Sequence, residues 1–100
     1  MNRVLVFGAL VLMPTAATAT PFLNHYYSEA GYFVDADNGE ARDYVCRMRF
    51  DLVYEENGRS RSQVVEQSVT VPARWRGRIA AFPSTPQSIL RSYRYDVSCT

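Results

Sequence analysis

Few residues in this chain could do chemistry. They are one histidine, His25, two cysteines, Cys46 and Cys99, an acidic turn from Asp35 to Glu40, and an arginine–tryptophan cluster from Arg74 to Arg78. A histidine acting as general base needs a nucleophile and an orienting acid. No pattern here nominates either, so His25 reads as a surface residue. The cysteines lie far apart rather than in a C-x-x-C pair, which points to a structural bridge and not a redox centre. The acidic turn fails the calcium-loop pattern, because Gly39 stands where a third ligand belongs and no glutamate closes the loop. There is no phosphate-cradling glycine loop and no G-x-S-x-G elbow. The expectation is a protein with no cofactor, no metal and no catalytic activity. Arg74, Trp75, Arg76 and Arg78 are different in kind, since arginine and tryptophan anchor interfaces and can stack on one another. A plainer role is open for Trp75: after Pro72 the chain could turn and fold the indole back as a cap on the core.

The elements that position these residues follow from the compartment. Residues 1–19 have the layout of a secretory signal peptide: Arg3, an uncharged apolar run from Val4 to Met13, then Pro14 and the small-residue site Ala17-Thr18-Ala19. A helix of that run reaches only about 15 Å, half of a hydrocarbon core of about 30 Å. The expected mature chain is a single domain over residues 20–100, periplasmic or secreted. Small exported domains commonly carry a disulfide, so a Cys46–Cys99 bridge is expected. All 11 basic residues are arginine; without Arg3 the remainder balance the 10 acids. A near-neutral exported chain is a poor fit to nucleic acid.

Alternation supplies the strands. From Tyr44 to Tyr54 the even positions are Tyr, Cys, Met, Phe, Leu and Tyr, with Arg47, Arg49 and Asp51 between them. This is a strand with one buried face. Asn57-Gly58 is a strong hairpin signal. A two-residue loop there sets Glu56 opposite Arg59, Phe50 opposite Val65, Cys46 opposite Val69 and Tyr44 opposite Val71, with Arg49 against Glu66 on the open face. A second hairpin is expected at Asn38-Gly39, with Phe33 opposite Tyr44 and Asp35 opposite Arg42. Arg78 to Phe82 reads as a short strand, Pro83 and Pro86 as a loop, and Tyr93 to Cys99 as the last strand, with Cys99 pointing to the core. The expected fold is all-β, a small Ig-like β-sandwich of about five strands, its one disulfide joining facing sheets.

From Cys46 to Ala73 the layout is Cys-Arg, an alternating strand, a glycine turn rich in Ser and Arg, a polar strand and a Val-Pro-Ala close. This resembles the central hairpin of the small periplasmic curli-assembly proteins. The resemblance implies an Ig-like fold and a role in keeping amyloid subunits from polymerising early. Of the Cys-x-Cys pair found in one branch of that family, Tyr44-Val45-Cys46 retains only the second cysteine, which leaves one long-range bridge. The function expected is that of an exported protein-binding factor, chaperone-like or assembly-inhibiting, with Arg47, Arg49, Arg74, Trp75 and Arg76 as the partner-binding residues. The alternative is an inhibitor or immunity-type protein that blocks a secreted enzyme with the loop at Arg74–Arg78 or Pro83–Ser88. A structural accessory subunit of a larger envelope complex is a third reading.

Overall fold

The computed structural model describes residues 20–100; the expected signal peptide, residues 1–19, lies outside them. Every regular element described is a strand: β1 (Phe22–Ser28), β2 (Gly31–Asp37), β3 (Tyr44–Glu56), β4 (Arg59–Val71), β5 (Arg76–Pro83) and β6 (Ile89–Cys99). They form two antiparallel three-stranded sheets, ordered β1-β2-β5 and β4-β3-β6. There are six strands and not five, because Phe22–Ser28 pairs along the whole of β2.

The long hairpin has the register its sequence dictates. Asn57 and Gly58 adopt φ of 54° and 75°, as a two-residue turn between right-twisted strands requires. Glu56 faces Arg59, Phe50 faces Val65, and Tyr44 faces Val71. From Tyr44 to Tyr54 the even residues of β3 are buried and the odd ones face outward. A slip of one residue would drive Arg47 and Arg49 into the core.

The second hairpin does not form. Asn38-Gly39 lies in the passage from one sheet to the other. Phe33 pairs with Tyr26 and Ala81, and Asp35 with Asn24 and Arg78. The reason is the Asn38 side chain, which is fully buried. Its Nδ2 donates to the carbonyls of Arg42 (2.8 Å), Val71 (3.3 Å) and Pro72 (2.8 Å), and its Oδ1 accepts from the Glu40 N–H (2.9 Å). Asparagine here ties two connections together instead of making a turn, satisfying backbone groups that burial would otherwise orphan.

The two sheets share one core. Tyr32, Val34, Ala36, Ile79 and Ala80 of the first meet Cys46, Met48, Phe50, Leu52, Tyr54, Val71 and Leu90 of the second. Each large apolar side chain buried there contributes about 1.5–3 kcal/mol. Two bulges keep the apolar residues inward. Val34 faces Ala80 while Asp35 faces Arg78, so Ile79 is the extra residue, and both Ile79 and Ala80 point in. In β6 Leu90 faces Tyr54 while Ser92 faces Val53; Arg91 is extra, and the inward phase moves from Leu90 to Tyr93.

The disulfide forms between the expected cysteines but in a different place. It joins neighbours within one sheet and does not cross the core. Cys46 lies directly opposite Cys99, with their Cα atoms 4.0 Å apart. Val45 and Thr100 beside them exchange both backbone hydrogen bonds at 3.0 Å. The cysteines therefore occupy a non-hydrogen-bonded pair, where opposed side chains are closest. Alternation assigned both cysteines to the inner face but carried no information on which strand lies beside which.

Candidate functional site

The outer face of the sheet β4-β3-β6 is a lattice of charged and hydroxyl side chains, because the odd residues of β3 must face water once the even ones are buried. In one row Arg47 stands between Ser68 of β4 and Ser98 of β6; in the next, Arg49 stands between Glu66 and Asp96. Arg49 Nη1 donates to Glu66 Oε2 at 3.1 Å, and its Nη2 to Asp51 Oδ1 at 3.4 Å. These pairs are exposed and contribute at most about 1 kcal/mol each. Arg47 has no ion pair among the described residues. The rows border a shallow open depression.

Arg74, Trp75 and Arg76 lie elsewhere, at the connection from β4 to β5. Arg74 takes a positive φ of 59°, held by two contacts to the opposing loop: its N–H donates to the Glu40 carbonyl at 3.0 Å and its Nη1 to the Gly39 carbonyl at 2.8 Å. The Trp75 carbonyl accepts from the Asn38 N–H at 2.8 Å, and Ala73 N–H donates to Asp43 Oδ1 at 2.8 Å. The Trp75 indole packs against the core and lies over Gly77, where a Cβ would come within 2.6 Å of the ring. Trp75 is thus the folded-back cap, and glycine at position 77 is the space that admits it. Arg76 projects into solvent on the outer face of the other sheet, 3.9 Å from Asp37. Arg78 beside it donates from Nε to Asp35 Oδ1 at 2.8 Å and lies 4.7 Å over the Phe33 ring. The five expected binding residues therefore form two groups, Arg47 with Arg49 and Arg74 with Trp75 and Arg76, and the fold does not bring them together.

One cluster escaped the sequence reading. His25 is not a loose surface residue: it lies on β1, half-buried on the inner face. Its ring stacks on Tyr95, 3.9 Å between centroids, and its Nδ1 is 2.7 Å from Tyr32 Oη. Tyr32 in turn stacks on Tyr93 at 4.1 Å, and Tyr27 Oη donates to the Leu90 carbonyl at 2.9 Å. Burial holds the His25 pKa below its ordinary value. Burial first, and then the neighbouring Tyr93 and Tyr95, push the Tyr32 phenol upward, so the phenol donates and the neutral imidazole accepts at Nδ1. The signal for this cluster was the alternation Leu23, His25, Tyr27, legible only once a partner strand is known.

Among the described residues no group of three or more His, Cys, Asp or Glu is arranged to hold a metal ion. Nor, among those same residues, is any helix long and apolar enough to cross a membrane. No family model, no curated protein and no solved structure matches the chain.

Proposed function

We propose that this chain is an exported, non-catalytic protein-binding domain, chaperone-like or assembly-inhibiting, acting on a protein partner in the periplasm or outside the cell. The observation that carries this reading is Arg47: a guanidinium on an open outer sheet face, flanked by Ser68 and Ser98, with no ion pair among the described residues. Five donors in a planar fork suit a carboxylate of an extended partner, and the Arg49–Glu66 pair beside it fixes the surrounding charges. An oxidising compartment agrees with the Cys46–Cys99 bridge. An Ig-like arrangement and a curli-assembly type of role belong to the same proposal; two sheets on one core and the Cys46–Ala73 hairpin support them. The alternative, an inhibitor acting through a loop, is favoured by the rigidity of Arg74–Arg76, whose backbone is pinned to the 38–43 connection.

Affinity capture from the exported fraction, with the unaltered protein and with Arg47→Glu and Arg76→Glu variants, separates the two. Loss of the captured protein with Arg47→Glu alone supports the sheet face, and loss with Arg76→Glu alone supports the loop. Unchanged capture by both, with the fold intact by circular dichroism, overturns both assignments.

A further inference from the structure

The strand β4 is a free edge of unusual regularity. It runs 13 residues, pairs with β3 alone, and has no bulge and no proline. Native sheets normally blunt such edges, and the other three are blunted here. β5 carries the Ile79 bulge and closes on Pro83, β6 carries the Arg91 bulge, and β1 is only 7 residues long. Between Ser62 and Thr70 the single charge is Glu66, already matched by Arg49 of its own chain. Val64 is 54% exposed on the outer face.

The hydrogen-bonding phase of this edge follows from one pair. Val45 and Thr100 exchange both bonds, so the odd residues of β3 bond to β6 and the even ones to β4. Ser62, Val64, Glu66, Ser68 and Thr70 therefore aim their N–H and C=O groups outward, ready for another strand.

The sequence of the edge names the strand it fits. Ser60-Arg61-Ser62-Gln63-Val64-Val65-Glu66-Gln67-Ser68-Val69-Thr70 reads nearly alike in both directions about Val65. Antiparallel pairing with an identical strand, on a two-fold axis at Val65, sets Ser62 against Ser68, Gln63 against Gln67, Ser60 against Thr70, and Val65 against itself. The phase agrees, since Val65 then sits in a non-hydrogen-bonded pair flanked by Val64–Glu66 bonded pairs. Charges agree as well. Glu66 meets Val64, and Arg59 and Arg61 meet Val71 and Val69, so no like charges oppose. Shifting the axis to Glu66 would oppose two carboxylates, and shifting it to Val64 would keep only a Ser60–Ser68 match, losing the Gln63–Gln67 pair and setting Gln63 against Val65.

We infer that β4 is a homodimer interface: two copies pair β4 antiparallel about Val65, fusing two three-stranded sheets into one of six strands. The contact is isologous, so it closes on itself and leaves no β4 edge for further growth. It stands independently of the partner-binding role proposed above.

Sedimentation equilibrium of the oxidised protein, expressed with its own N-terminal segment, tests this. The expected result is a reversible dimer. S62K/S68K opposes like charges twice across the axis, whereas S62K/S68E opposes unlike charges at the same two positions. Both alter outward-facing side chains only. The first should dissociate at least about tenfold more readily than the second. Val64→Pro, which keeps every β3–β4 bond because the Val64 N–H points outward, should be monomeric with an unchanged circular dichroism spectrum. A monomeric wild-type protein at sub-millimolar concentration overturns the inference. So does equal dimerisation of the two charge variants, or a folded Val64→Pro protein that still dimerises.

Discussion

At the scale of single residues, His25 shows how burial changes what a side chain does. Its imidazole is held between Tyr95 and Tyr32 as a neutral acceptor, and burial lowers its pKa from the ordinary 6.5. The unfolded chain, where nothing disfavours the cation, then binds more protons than the folded one as pH falls below about 6.5. Stability should be level above that pH and decline between about pH 6.5 and 5.5, before the carboxylates titrate. Because the chain has 1 histidine, the slope is assignable. Urea denaturation midpoints across this window should fall for the wild type and stay level for His25→Gln. A wild-type midpoint that does not move would place the imidazole in water.

At the scale of elements, what was legible divides by the range of the signal. The β3–β4 hairpin was readable to the residue, because alternation fixes the face and Asn57-Gly58 fixes the register, both within a short stretch of chain. Gly58 carries the positive φ without penalty, so Gly58→Val should cost about 1–2 kcal/mol; a chemical-denaturation midpoint unchanged from wild type would argue against this turn geometry. The same dipeptide at Asn38-Gly39 misled, since what keeps it out of a turn is the carbonyls of Val71 and Pro72, 33 and 34 positions away. The bulges at Ile79 and Arg91 were invisible for a related reason. Each is a change of phase, recognisable only against the partner strand. Of the candidate site, Arg47 and Arg49 were placed correctly on an open face by alternation. The separation of Arg74–Arg76 from them depends on sheet order, which no local pattern encodes. Trp75 resolved as a cap because Gly77 leaves room for its ring.

At the scale of the whole molecule, two small sheets enclose one core, and the disulfide closes a loop that contains β4, β5 and the loops around them. In the chain-entropy account a loop of this length is worth about 4 kcal/mol, a large share of the stability of a domain this small. Cys46→Ser/Cys99→Ser should therefore lose about that much in chemical denaturation; a loss under about 1 kcal/mol would mean the unfolded chain is already restrained by other means. The position of the bridge matters beyond its entropy. It sits at the end of the β3–β6 ladder where Val45 and Thr100 close the pairing. A pull on residue 100 would break the two Val45–Thr100 hydrogen bonds and then meet a covalent clasp at Cys99, so β6 cannot be peeled like a zipper beyond its last residue. Cutting the clasp would let β6 unzip and strip β3 of one neighbour. The bond thus acts as a mechanical lock on the sheet's second edge, and thiol reductants are its key.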